Sequence, residues 1–254
     1  MRIDGRQKNE LRKIHIIRSF TKYALGSVFI EQGDTKVVCT VMIEDKVPPF
    51  LKGSQEGWLT AEYNMLPSST IMRKQRDISK GKIDGRSTEI QRLIGRALRS
   101  VIDLKVIGEK TIWIDCDVIQ ADGGTRCASI IGSFIALVDA INNLDHTNHF
   151  EVYPVKNFVS AVSVGIVGNQ IYLDLNYYED SKANVDMNIV MTDDDSIIEI
   201  QGTGEERPFT ILEKDRLFEL ALEGTKDIIL LERDLLGKDA IRIGENKGYI
   251  GNKQ

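Results

Sequence analysis

The sequence predicts an α/β fold in a single domain, and three stretches predict it. A strand of period 2 at 112–119 runs into a helical stripe over 127–142, a second helical stripe occupies 88–102, and 162–173 pairs as a hairpin. With 254 residues, 42% of them hydrophobic, the chain can bury a large core without dividing in two. Residues 1–240 are expected to form the domain, and 241–254, which has glycines and charges but no amphipathic pattern, a mobile tail.

The first chemical feature lies ahead of the first helix. Arg73, Lys74, Arg76, Lys80, Lys82 and Arg86 crowd a short stretch that also holds Asp77 and Asp84, on a chain whose net charge is −5. That net charge excludes a surface that binds nucleic acid everywhere, because such affinity comes mainly from neutralising phosphates. The patch leaves a local contact open, and a solvated loop equally so. It leads into the helix of 88–102, where Thr88-Glu-Ile-Gln91 has the spacing of a capping box. Ile90, Leu93, Ile94, Ala97, Leu98, Val101 and Ile102 mark the buried face of that helix. Arg92, Arg96 and Arg99 fall at i, i+4 and i+7 and are expected to project together, toward RNA or toward a carboxylate-rich subunit face.

The strand comes next. Ile112, Ile114, Cys116 and Val118 alternate with Trp113, Asp115, Asp117 and Ile119, so one face is buried. Gln120-Ala-Asp-Gly-Gly-Thr-Arg126 follows, at the passage from strand to helix. Gly123 and Gly124 allow close approach of the backbone to a ligand. Thr125 and Arg126 offer a hydroxyl and a guanidinium beside the free N–H groups of a helix start, a combination suited to an anion. A tight turn with Thr125 as cap and a solvated arginine uses the same residues. The helix carries Ile130, Ile131, Phe134, Ile135, Val138 and Ile141, interrupted by Gly132, Ser133 and Asp139, and is expected to be too short to span a bilayer. No apolar signal region opens the chain, so a cytoplasmic location without membrane contact is expected.

The second half supplies carboxylates. Val162 to Leu173 reads as two strands turned at Gly168-Asn169. Beyond it, Asp180 is expected in a loop, and Asp186 in the next strand, on the face opposite Val185, Met187, Ile189 and Met191. Two carboxylates so placed can converge on one magnesium ion, although acidic loops are commonly just solvated. Cys39, Cys116 and Cys127 sit in apolar patterns without CxxC spacing and read as buried free thiols. No GxxxxGK[ST] loop and no GxGxxG is present, and His15, His146 and His149 stand in no triad context, which argues against kinase, NTPase and serine-hydrolase chemistry.

An anion pocket, an arginine-lined approach and a carboxylate pair are together the parts for chemistry at a phosphodiester. The chain resembles the ribonuclease PH family of phosphate-dependent 3′ exoribonucleases, which trim transfer RNA precursors. The resemblance is carried by Arg2-Ile-Asp-Gly-Arg6, Thr60-Ala-Glu-Tyr-Asn-Met-Leu-Pro67, Glu89-Ile-Gln-Arg-Leu-Ile-Gly-Arg96, Asp115 to Arg126, Glu179-Asp-Ser181, Val185-Asp-Met-Asn188 and Glu199-Ile-Gln-Gly-Thr203, in the family's order. It implies a ribosomal protein S5 domain 2-like domain of mixed sheets with two βαβ-type halves, assembled as a homohexameric ring of three dimers. It implies that Arg86, Gly124, Thr125 and Arg126 bind inorganic phosphate, the attacking nucleophile. Asp180 and Asp186 are then the catalytic carboxylates, associated with a divalent metal such as magnesium. Arg92 and Arg96 lie near the active site, and Arg73 and Arg76 in a region that guides RNA. The reaction implied is reversible phosphorolysis of transfer RNA precursors, releasing nucleoside diphosphates.

Two departures accompany the resemblance. Ser68 stands where the family often has arginine, which bears on RNA guidance, and Asn176 where aspartate is common, which bears on metal geometry. Two alternatives remain open: an exosome-type ring subunit, which normally needs a second, different subunit, and a ring scaffold that binds RNA without cutting it. Arg126 and Asp180 are expected at exposed loop positions, where replacement by alanine spares the fold.

Overall fold

The structure, a computed structural model, describes residues 2–82 and 84–245, with only the backbone of Ile78 and Lys80. The first sheet holds β1 (Ile14–Arg18), β2 (Gly26–Gln32), β3 (Thr35–Glu44), β4 (Trp58–Met65) and β5 (Thr111–Gln120), in the order β1-β2-β3-β5-β4. Neighbours are antiparallel except β4 and β5, which run parallel. A parallel pair needs a crossover, and here it contains α1 (Asp77–Lys80), α2 (Gly85–Val101) and α3 (Leu104–Ile107). The alternation predicted for β5 is present: Ile112, Ile114, Cys116 and Val118 are buried, while Asp117 and Ile119 are exposed.

After α4 (Thr125–Asn148) comes a second, wholly antiparallel sheet. It is formed by β6 (Val159–Val167), β7 (Gln170–Leu173), β8 (Val185–Thr192) and β9 (Ile197–Gly204), ordered β7-β6-β8-β9. The predicted hairpin is β6–β7, turned by Gly168-Asn169 with Gly168 at φ +60°. Two further helices are α5 (Tyr177–Asp180) and α6 (Ile211–Leu236).

The position of α4 explains its composition. Cys116 Sγ of the first sheet lies 3.0 Å from Ser133 Oγ on one side of this helix, and on the other Cys127 Sγ lies 3.5 Å from Asn188 Oδ1 of β8. The second sheet is covered on its far face by α6, where Thr225 reaches Met191. A helix between two sheets is apolar all round. This corrects the expected end near Asn142 and the expected shortness: α4 has 24 residues and is long and apolar enough to cross a membrane, but 83% of its apolar window is buried inside the protein. Its polar interruptions have partners, since Asp139 pairs with Arg18 at 2.5 Å.

The capping box expected at Thr88 is also corrected. The helix begins three residues earlier, with Asp84 as N-cap, and Thr88 Oγ1 donates to Asp84 O at 3.2 Å from within the first turn. Gly85, a weak helix former, hides that start from a propensity reading. All three cysteines are buried and free, as expected. Of the expected tail, 241–245 lies against the body, where Arg242 pairs with Asp145 at 2.7 Å, and 246–254 lies outside the described residues.

Candidate active site

The site is built around the start of α4. Gly124, at φ +65°, is the N-cap, and no side chain caps the helix. Thr125 is therefore not the cap; it is the first helical residue, and its hydroxyl pairs with Tyr63 OH of β4 at 2.8 Å. The N–H groups of the first turn thus have no side-chain acceptor, at the positive end of a long helix. The glycines serve the protein's own packing as well. A Cβ on Gly123, whose φ is +75°, would lie 2.7 Å from Leu175 O and 2.9 Å from Tyr177 N, and one on Gly124 would lie 2.7 Å from Arg12 Nη2.

Beneath this loop is a buried ionic network. Arg12 Nη2 donates to Asp174 Oδ1 at 2.7 Å, Gln32 Nε2 donates to the same oxygen at 2.9 Å, and Arg12 Nη1 donates to Asp122 O at 2.6 Å. Burial alone would raise the Asp174 pKa, but the Arg12 guanidinium outweighs it and holds the carboxyl below its usual range. Arg2 and Glu179 pair at 2.6 Å and tie α5 to the N-terminal segment. Asn176 and Glu179 form a capping box at the start of α5, so this departure from the family pattern serves as a helix cap. Asp180 is the last residue of α5 rather than a loop residue, and Arg126 lies in the first turn of α4; both are half-buried, not exposed.

These elements enclose a cavity of about 550 Å³. Arg86, Gly124, Thr125, Arg126, Asp180 and Asp186 all line it. Burial raises the Asp180 carboxyl above its usual range, against the pull of Arg86 and Arg126. Burial, with the nearby Asp180 carboxylate, pushes Asp186 up to about 6. Asn188 Nδ2 donates to Asp186 Oδ2 at 3.3 Å, whereas the buried Asp186 Oδ1 has no hydrogen-bond partner among the described residues. A buried orphan oxygen beside a second carboxylate fits a small hard cation. Among the described residues no group of three His, Cys, Asp or Glu side chains gathers for a metal, and a hard divalent ion held by few protein oxygens keeps several waters.

The arginines expected to meet RNA lie elsewhere. An adjoining cavity of about 690 Å³ shares Arg86, Gly124, Thr125 and Asp180 and adds Ser68 and Tyr177; beyond it, a groove of about 520 Å³ contains Ser68, Arg73 and Arg76. Arg92 and Arg96 are exposed on α2 and line none of these spaces. The expected row of three guanidiniums does not form: Arg96 pairs with Glu199, whereas Arg99 donates to Leu59 O at 2.9 Å and stands over the Trp58 ring.

Sequence reasoning gave no role to several residues at the site. Tyr63 points inward with Leu59 and Ala61, and an inward hydroxyl needs a partner; that signal was present in the alternation of β4. Arg12, Asp174, Glu89 and Gln201 were not distinguishable, because their partners are distant in sequence.

Comparison with known proteins agrees with this architecture. The 3′ exoribonuclease family, RNase PH, matches over residues 10–141 by its domain 1 and over 157–224 by its domain 2. Among solved structures, rice (Oryza sativa) Rrp46 is similar at 21% identity, with a TM-score of 0.76 and coverage of 92% of this chain and 100% of that one. The Archaeoglobus fulgidus exosome with RNA bound to the active site is similar at 23% identity and TM-score 0.75, covering 89% of this chain and 91% of that one. An archaeal exosome core is similar at 23% identity and TM-score 0.70, with coverage of 92% and 90%. At these identities the structural likeness is one of fold, and the family assignment rests on the two domain matches. The chain belongs to the RNase PH family of 3′ exoribonucleases.

Proposed function

We propose that this protein is a phosphorolytic 3′→5′ exoribonuclease that acts in the cytoplasm on the 3′ ends of RNA, transfer RNA precursors among them, and releases nucleoside diphosphates. One observation carries the reading: the four residues assigned to phosphate and the two assigned to catalysis line a single cavity. Arg86, Arg126 and the uncapped start of α4 hold inorganic phosphate. A phosphate oxygen attacks the terminal phosphodiester phosphorus, the bond to the 3′ oxygen breaks, and the last nucleotide leaves as a diphosphate. One of the carboxyl pair is placed to help deliver the proton that the departing oxygen takes up. Asp180 and Asp186 would hold a divalent cation, which neutralises charge on the phosphodiester when bound. Arg73 and Arg76, which line the groove beyond the adjoining cavity, guide the RNA, and Arg92 and Arg96 bind it on the exposed side of α2.

The assembly has two readings. The ribonuclease PH resemblance supports a ring of six copies of this chain, whereas the likeness to exosome subunits supports a place in an exosome-type ring beside a different chain. Activity assayed together with particle mass tests both. A purified chain that forms a hexamer and releases nucleoside diphosphates supports the first, and one active only with a second subunit supports the exosome-type ring. RNA binding without release of nucleotides in either form would contradict catalysis and favour a scaffold.

A further inference from the structure

The Arg126 guanidinium is held from one side. Its Nη1 donates to Gln201 Oε1 and lies 3.5 Å from Glu89 Oε1, while Gln201 Nε2 donates in turn to Glu89 Oε1. Three elements meet in this bridge, since α2 supplies Glu89, α4 supplies Arg126 and β9 supplies Gln201. Among the described residues, Nε and Nη2 of Arg126 have no protein acceptor. A guanidinium is a planar fork, so fixing one nitrogen fixes the direction of the edge that remains.

The chemistry of the two holding residues suits this task. Gln201 uses both ends of its amide, the carbonyl toward Arg126 and the NH₂ toward Glu89; reversed, the amide would present its NH₂ to the guanidinium. A carboxylate at 201 would face Glu89 as a like charge, and asparagine would be one CH₂ short. Glu89 follows Arg86 by three residues and so lies on the same side of α2, where its negative charge offsets repulsion between the two cavity arginines before an anion arrives.

We propose that Gln201 and Glu89 are positioning residues that aim the free edge of Arg126 at inorganic phosphate, and so set affinity for phosphate rather than for RNA. This rests on the phosphate site proposed above. Calorimetric titration of the full chain with inorganic phosphate tests it, together with separate KM values for phosphate and RNA.

Gln201→Ala is expected to weaken phosphate binding about tenfold, the size of losing one hydrogen bond to a charged group, and to raise the phosphate KM alone. Glu89→Ala, at a half-exposed side chain, loosens the same clamp without risk to the core and is expected to act in the same direction. Glu89→Gln retains an acceptor for Gln201 but not the charge, and is expected to weaken phosphate binding less than Glu89→Ala does. The double variant Gln201→Ala/Arg126→Ala is expected to bind no more weakly than Arg126→Ala, because the clamp acts only through that arginine. Phosphate affinity within about twofold of wild type in both Gln201→Ala and Glu89→Ala would overturn the clamp alone, as would additive losses in the double variant. A wild-type protein that binds no phosphate would overturn the phosphate site, and the clamp with it.

Discussion

Asp186 concentrates the chemistry of the site in one side chain. Its pKa of about 6 stems from burial and from the Asp180 carboxylate, so the ionised form is disfavoured in the metal-free fold. The sign follows from linkage. A carboxyl raised on folding favours the native state at pH below its unfolded pKa, near 3.8, and that contribution is lost as pH rises through 6. Asp186→Asn is therefore expected to raise the melting temperature of the metal-free protein at pH 8 by a few degrees, and to leave it nearly unchanged at pH 4. Differential scanning calorimetry at the two pH values checks this, and equal shifts at both would contradict the assigned cause. Strand alternation placed Asp186 on a face of β8, whereas Asp180, expected in a loop, ends the short helix α5. Their surroundings were not legible in the sequence. The Asn188 contact and the orphan Oδ1 depend on how β8 meets α4.

Elements aim these residues, and the Gly123-Gly124 turn before α4 is one of the contacts that does so. Gly123 lies against the backbone of 175–177, which leads into α5 and Asp180. Gly123→Ala would both occupy that contact and strain a positive φ, so it is expected to cost about 2 kcal/mol or more and to displace Asp180. Chemical denaturation would show the loss of stability, and activity would fall further than stability accounts for. An activity near wild type would mean that the loop does not position α5. The strand-to-helix passage at 120–126 was legible because the period changes from 2 to 3.6 within it. The true beginning of α2 and the end of α4 were not, since Gly85 hides one and the last turns of the other, 142–148, bury no apolar stripe and are met instead by contacts such as Asn143 donating to Leu25 O.

The whole molecule explains why a buried apolar helix begins at a charged cavity. Two sheets enclose α4, and its first turn lines the cavity together with residues from both halves of the chain. The halves are joined under the site by Arg12 and Asp174, both nearly inaccessible to solvent. Removing one partner strands the other charge, so Arg12→Ala is expected to destabilise the protein by about 3–5 kcal/mol, readable as a lowered denaturation midpoint. A loss below about 1 kcal/mol would show that the network does not hold the halves together. No local pattern announces this pair, which spans 162 positions, whereas the fold class followed from periodicity that any one segment displays.

The proposed reaction has phosphate, not water, attack the RNA in this cavity. Incubating the purified chain with radiolabelled inorganic phosphate, magnesium and a 3′-extended transfer RNA, then separating the released nucleotides, tests it most directly. Label is expected in nucleoside diphosphates, with none formed by Arg126→Ala. Unlabelled nucleoside monophosphates, released with or without phosphate, would contradict it.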